Sequence, residues 1–115
     1  MHLNQEAFLK ITTAASLAPS NLIAKDRISL IEKAFHDSER EHNIFLSSIV
    51  FDGDSKSYAT NAISRIADYG KMSSGQEALI PYLTIVANDF DITKEYQITQ
   101  KRNIENFLKE HSSSS

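Results

Sequence analysis

The strongest constraint on the fold of this chain is a pair of amphipathic helical patterns between residues 55 and 90. Apolar side chains recur there at the spacing i, i+3, i+4, i+7, which places them on one face of a helix. The first pattern comprises Ala59, Ala62, Ile63 and Ile66, and the second comprises Leu79, Tyr82, Leu83 and Val86. The short turn Tyr69-Gly70-Lys71 separates them. The stretch therefore predicts a helical hairpin whose two apolar faces pack together in the core.

The scarcity of turn-forming residues extends this prediction to the whole chain. Only three glycines and two prolines occur in 115 residues, whereas all-β domains need turn residues at regular short spacing. Hydrophobic residues make up 41% of the chain, enough for one packed core. We therefore predict an all-α fold, a compact bundle of five to six antiparallel helices forming a single domain over residues 1–111. The serines at 112–115 are interpreted as a tail or the start of a linker.

Capping signals predict the helix boundaries in the first half of the chain. Asn4 is expected to cap the first helix and Asp26 the second, because short polar side chains accept hydrogen bonds from the first free amides. Either Asp37 or Ser38 is expected to cap the third helix. Glu41 follows Ser38 by three residues, as a capping box requires. We predict that this third helix continues through its apolar end to residue 51.

The fourth and fifth helices form the predicted hairpin. The fourth spans about residues 55–69, and Gly70 follows it where a left-handed residue often ends a helix. Ser74 is expected to cap the fifth helix, with Glu77 completing a second capping box. Pro81 lies inside this pattern and should either kink the helix or confine it to a late start. A sixth helix is predicted to begin between residues 93 and 99, with Ile104, Phe107 and Leu108 on its apolar face.

Composition argues against several classes of partner. The net charge of −3 and the sequence pI of about 5.7 give no basic face for nucleic acid and no attraction to an anionic membrane. The absence of cysteine excludes disulfides and thiol chemistry. The first residues lack the basic start and apolar run of a signal peptide, and no apolar run approaches the roughly 20 residues of a membrane span. We therefore expect a cytoplasmic protein.

Motifs that could carry chemistry are incomplete. Asp52-Gly53-Asp54 opens like a calcium loop, but the later ligand positions of that motif hold Lys56, Ser57 and Ile63. Glu39 and His42 form one E-x-x-H pair, while a carboxylate-bridged di-metal site needs two such pairs and two further glutamates. We therefore expect no metal site.

Sequence motifs typical of enzymes are also absent. The chain has no G-x-S-x-G elbow and no glycine-rich phosphate loop. A Ser–His–Asp triad stays open, because its members are adjacent in space rather than in sequence. We expect no catalytic and no cofactor-binding residues and no enzymatic activity, which leaves protein binding by elimination.

From Phe35 onward a set of apolar and neighbouring residues forms a pattern that extends to the last helix. Its members are Phe35-His36-Asp37, Arg40, Phe45-Leu46, Ile66 to Lys71, Glu77-Ala78-Leu79, Leu83, Ile104 and Phe107-Leu108. The hinge Tyr69-Gly70 and the leucine-containing helix after it are the most telling part. This pattern resembles the effector-associated domains of bacterial conflict and signalling proteins, which are small helical modules with a death-domain-like bundle.

The resemblance implies an adaptor that recruits an effector through like-with-like helical contacts, with possible partners being a matching helical domain, an effector or a second copy. Such contacts use charged helix faces and corners, so it implies a partner surface near the hinge and the later loops. The candidate partner-binding residues are Arg65, Asp68, Tyr69, Lys71, Glu77, Asp89 and Asp91. Two other functions remain open: a free-standing immunity or inhibitor protein that blocks a toxin, and a small hydrolase or metal-dependent enzyme.

Overall fold

The computed structural model describes residues 1–112 and forms a bundle of six α-helices. This confirms the predicted all-α fold. Of the serine tail predicted at 112–115, Ser112 is the last residue of the sixth helix and residues 113–115 lie outside the described residues. The helices are α1 (Gln5–Ser16), α2 (Ala24–Ala34), α3 (Glu39–Ser48), α4 (Ser55–Tyr69), α5 (Leu79–Asp89) and α6 (Glu95–Ser112), with a 3-10 turn at Pro19–Asn21 between α1 and α2.

The predicted hairpin lies at the centre of the molecule. All eight apolar residues of its two patterns are fully buried, at 0% relative exposure. Around them pack α1 and α6, and α2 lies against α5. The hairpin faces are therefore buried chiefly by α1, α2 and α6 and only to a small extent by each other, which differs from the prediction that the two faces pack mainly together.

Two helix starts and one turn follow directly from local chemistry. The Asn4 side chain accepts a hydrogen bond from the amide of Ala7, as predicted for the cap of α1. The Asp54 side chain caps α4 in the same way through the amide of Ser57. Gly70 ends α4 with φ 80° and ψ −135°, a conformation essentially restricted to glycine. The positive φ was expected, whereas the extended ψ differs from the left-handed helical cap that the sequence suggested.

The predicted caps of α2 and α5 are wrong. Asp26 lies in the first turn of α2, which begins two residues earlier at Ala24. Helix α5 begins only at Leu79, so neither Ser74 nor Glu77 caps it. Pro81 is the third residue of α5, where a missing amide costs no hydrogen bond. Of the two predicted effects of this proline, the late start is confirmed.

Helix α3 also departs from prediction at both ends. Ser38 occupies the cap position but makes no side-chain capping bond. The Glu41 carboxylate instead accepts hydrogen bonds from the amide and hydroxyl of Ser73, at 3.1 and 3.3 Å. The helix ends at Ser48, because Ile49 adopts extended backbone (φ −84°, ψ 135°) and buries its side chain in the core. Residues 49–51 are therefore a connection and not the predicted last turn.

Because the helices alternate in direction, their connections collect at two opposite ends. Three connections meet at one end, between α1 and α2, α3 and α4, and α5 and α6. We call this the apolar end and define it as residues 17–26, 49–57 and 89–96. The α2–α3 and α4–α5 connections meet at the other end, which we call the Gly70 end. Helix α4 has 15 residues and so separates the two ends by about 22 Å.

Candidate interaction surface

The apolar end is held together by a buried arginine. Arg27 lies in the first turns of α2 and is 3% exposed. Its Nε donates to the Asn21 carbonyl, and its Nη1 donates to the carbonyls of Phe51 and Gly53, each at 2.8 Å. One planar guanidinium thus ties α2 to the α1–α2 and α3–α4 connections. Charge-assisted bonds of this kind are about twice as strong as neutral ones, so the two connections are firmly placed.

A buried polar group lies beside this arginine in the core. The Arg27 guanidinium sits 4.8 Å from the centre of the Tyr58 ring, a cation–π distance. The hydroxyls of Tyr58 and Tyr82 face each other, yet neither hydroxyl, nor the side-chain oxygen of Asn21, has a hydrogen-bond partner of good geometry among residues 1–112. Burial raises the pKa of Tyr58 to about 12 and that of Tyr82 well above its usual value. Both phenols therefore stay neutral at physiological pH.

The α5–α6 connection is fixed to the same end by hydrogen bonds. The amide and hydroxyl of Ser20 donate to the two carboxylate oxygens of Asp89, at 2.7 and 2.6 Å. The Asp91 amide donates to the Gln97 side chain at 2.7 Å. Hydrogen bonds from Thr93 lower the pKa of Asp91 and close a tight turn. Together with the Arg27 contacts, these bonds join all three connections.

Exposed apolar side chains concentrate on these connections. Among residues 1–112, seven large apolar or aromatic side chains are strongly exposed, from 42% to 68%. Six of the seven lie at the apolar end, whereas Leu9 lies apart on α1. The six are Leu17, Leu22, Ile23, Val50, Ile92 and Tyr96. Since single exposed apolar residues are ordinary but their concentration on one region is not, this end is the leading candidate for a binding surface.

The predicted partner residues divide between the two ends. Asp89 and Asp91 lie at the apolar end, where both carboxylates are already bonded within the chain. The other five lie on the last turns of α4 or on the connection after it, at the Gly70 end; these are Arg65, Asp68, Tyr69, Lys71 and Glu77. The structure therefore does not bring the seven residues together into one surface.

Within the Gly70 end, three of the five predicted residues present free charge. Arg65, Asp68 and Lys71 are exposed. Tyr69 instead packs its ring edge-on against Phe45, with ring centres 5.1 Å apart. Glu77 forms an ion pair of 3.1 Å with the amino group of Met1. Tyr69 and Glu77 thus have contacts inside the bundle that limit what they can offer a partner.

A cleft of about 440 Å³ opens beside the N-terminal segment and the last turns of α4. Its lining includes His2, Ser64 and Asp68. These three residues are of the types that form a hydrolytic triad. Among residues 1–112, however, no hydrogen bond joins any two of these three side chains. The cleft therefore holds the required residue types without the linked geometry that would activate a serine.

Groups suited to metal binding are scattered. No cluster of three or more histidine or carboxylate side chains that could hold an ion occurs in the described part of the chain. Glu39 is exposed, and His42 contacts the neighbouring Asn43 side chain at 3.3 Å. Asp54 caps α4, and its hydrogen bonds from Ser57 lower its pKa. The Asp52-Gly53-Asp54 turn thus leads into α4 through the Asp54 cap, which was not predicted from the sequence.

Comparisons with known proteins returned no similar protein. No family model, no curated protein and no solved structure matches this chain. None of the helices described for residues 1–112 combines the length and apolar character needed to cross a bilayer.

Neither the structural role of Arg27 nor the exposed apolar end was predicted from the sequence. Arg27 stands four residues before the buried Ile31, so it falls on the apolar face of α2, where a charged residue is unusual. That position was the available signal. The apolar pair Leu22-Ile23 and Val50 gave no periodic pattern, because they lie in short connections between helices.

Proposed function

We propose that this protein is a protein-interaction module that binds its partner through the apolar end. The observation that carries the proposal is the concentration of exposed apolar side chains on three connections that buried hydrogen bonds hold in place. Removal of apolar surface from water is the dominant favourable contribution to most protein–protein association. Because Arg27 fixes their backbone in advance, less conformational entropy is lost on binding.

The resemblance to effector-associated domains supports an adaptor role in a bacterial signalling or defence system. In that role the module recruits an effector protein and has no activity of its own. The exposed charges Arg65, Asp68 and Lys71 provide a second surface of the kind that such modules use. A module with one apolar and one charged surface at opposite ends could hold two partners at once.

Paired substitutions test which surface binds. Leu22→Asp places a charge on a side chain that is 64% exposed at the apolar end, and Leu9→Asp makes the same change at 53% exposure on α1. We expect the first to weaken partner capture and any self-association by about tenfold or more, since a charge in an apolar interface is costly. Leu9→Asp should bind as the unmodified protein does. Capture assays and analytical ultracentrifugation measure the two effects.

Charge reversals Arg65→Glu and Asp68→Lys examine the Gly70 end in the same assays. Circular dichroism confirms that each variant is folded. Equal binding by Leu22→Asp and Leu9→Asp would contradict the proposal, and loss of binding only in the charge-reversed variants would move the partner site to the Gly70 end.

An inhibitor of a toxin is the second candidate function, and the net charge of −3 favours it, because an acidic protein complements a basic target. An inhibitor abolishes the catalytic activity of its partner at equal molar ratio, whereas an adaptor leaves that activity intact or raises it. Titration of the captured partner with this protein therefore separates the two functions. Loss of inhibition in Leu22→Asp would place the inhibitory contact at the apolar end.

A further inference from the structure

The charge of the apolar end is strongly biased. It carries six carboxylates and three lysines. The carboxylates are Asp26, Asp52, Asp54, Asp89, Asp91 and Glu95, and the lysines are Lys25, Lys56 and Lys94. This is an excess of three negative charges. Two further cations lie beside this end. Arg27 is buried beneath the surface and donates to three backbone carbonyls, and the Lys101 ammonium donates to the Ala87 carbonyl at 3.0 Å and pairs with Glu105 at 3.9 Å.

Helix dipoles do not offset this bias. Helices α2, α4 and α6 begin at the apolar end, while α1, α3 and α5 finish there. The positive partial charges of the three helix starts therefore oppose the negative partial charges of the three helix ends. Side-chain charge consequently determines the electrostatic potential of this end.

The carboxylates border the exposed apolar side chains closely in the chain. Asp52 lies two residues after Val50, Asp91 immediately precedes Ile92, and Glu95 immediately precedes Tyr96. The side chains of Asp52 and Glu95 are exposed and make no hydrogen bond or ion pair with the rest of residues 1–112. The same three connections thus carry both the exposed apolar side chains and two unpaired carboxylates.

We infer that the apolar end binds a basic segment of a partner protein, whose apolar side chains contact Leu22, Ile23 and Val50 and whose lysines or arginines face the carboxylates of the same connections. This inference rests on the proposed function and names the chemistry of the partner. Complementary charge speeds association and rejects wrong partners. A second copy of this chain would bring two acidic ends together, and an anionic membrane surface would be repelled.

A peptide selection tests the charge of the partner without knowing its identity. A displayed library of peptides without charge bias, each of about 15 residues so that extended and helical binding modes are both sampled, is selected against the whole protein. The binding of the enriched peptides to the variants is then measured. We expect the enriched peptides to carry net positive charge together with apolar residues. Their binding should fall about tenfold or more in Leu22→Asp and stay unchanged in Leu9→Asp.

Neutralising variants isolate the contribution of charge. Asp52→Asn and Glu95→Gln should each weaken the enriched peptides by about two- to fivefold at low salt, the usual range for exposed ion pairs, and by less at high salt. Glu6→Gln is the matched control, because Glu6 also lies exposed in the first turn of a helix, at the Gly70 end. It should leave binding unchanged.

The outcomes separate this inference from the proposed function. If the enriched peptides are neutral or acidic and bind Leu22→Asp more weakly than the unmodified protein, the inference of a basic partner is contradicted. The apolar end then remains the binding surface. Peptides that bind Leu22→Asp and unmodified protein alike would overturn both.

Discussion

At the scale of single residues, the least expected feature is a pair of buried phenols without good hydrogen bonds. The hydroxyls of Tyr58 and Tyr82 lie in the core next to Arg27 and Asn21. A buried hydroxyl without a partner costs free energy. The rings themselves bury large apolar surfaces, and the Tyr58 ring also lies against the Arg27 guanidinium. We attribute the retention of these tyrosines in the core to their rings and not to their hydroxyls.

The raised pKa of Tyr58 predicts a loss of stability in alkali. Burial raises this pKa from 10.0 to about 12, so the folded protein keeps the proton that the unfolded chain releases. The stabilisation is complete below pH 10 and is lost as the pH rises towards 12. We expect the free energy of unfolding to fall by up to about 3 kcal/mol over this window from Tyr58 alone. Urea denaturation at about pH 9 and pH 11 measures the loss.

Phenylalanine variants assign that loss to the core. Tyr58→Phe removes the titrating group, so it should diminish the alkaline loss while changing stability at neutral pH by less than about 1 kcal/mol. Tyr96→Phe is the control, because Tyr96 is 56% exposed. If Tyr58→Phe retained the full alkaline loss, burial of Tyr58 would not be its cause.

At the scale of helices and connections, Arg27 predicts the largest single effect on stability. Arg27→Met keeps the aliphatic packing but leaves the carbonyls of Asn21, Phe51 and Gly53 without this donor. We expect the free energy of unfolding to fall by about 3 kcal/mol or more. Arg27→Lys should recover less than half, since one ammonium cannot reproduce the planar fork. Urea denaturation monitored by circular dichroism gives both values.

An exposed arginine provides the control for this prediction. Arg40→Met changes the same residue type on the surface of α3 and should alter stability by no more than about 0.5 kcal/mol. Equal effects of Arg27→Met and Arg40→Met would show that the buried hydrogen bonds do not hold the two connections.

Sequence reasoning succeeded for elements whose structure depends on local periodicity. The boundaries of α4 at residues 55 and 69 and the buried face of α5 were predicted, because apolar spacing alone determines which face packs inward. The late start of α5 was one of two predicted outcomes, since Pro81 is well tolerated only in the first turn.

The failed capping boxes of α3 and α5 share a physical cause, which is competition from distant partners. Ser38 and Glu41 fit a capping box, but the Glu41 carboxylate bonds Ser73, 32 residues further along the chain. Glu77 pairs with the amino group of Met1 instead of capping α5. Local spacing cannot reveal a partner that only the folded chain brings near. The candidate surface was missed for the same reason, since three connections far apart in sequence compose it.

At the scale of the whole molecule, the antiparallel order of the helices creates two chemically different ends. The apolar end contains most of the exposed apolar side chains and the excess of carboxylates. The Gly70 end contains the exposed charges Arg65, Asp68 and Lys71. Both ends consist of connections, which can change their surface residues with little effect on the core. The residues of the two binding surfaces can therefore change without changing the core of the bundle.

The same organisation predicts that α3 opens before the rest of the bundle. Within α3 only Glu41 and Phe45 are buried, whereas α4 buries six residues and α5 five. Helix α3 also packs chiefly against α2. We therefore expect amide hydrogens of α3 to exchange at least about tenfold faster than those of α4, through a local opening that leaves the hairpin intact. Native-state hydrogen exchange measured by NMR gives the rate of each amide.

Low concentrations of denaturant distinguish local from global opening. Exchange in α4 and α5 should accelerate steeply with denaturant, because their opening exposes the whole core, while exchange in α3 should respond weakly. Glu41→Gln should speed exchange in α3 further, since it weakens the bond to Ser73 that secures the first turn of this helix. Uniform exchange rates and equal denaturant dependence across α3 and α4 would instead mean that the six helices unfold as one cooperative unit.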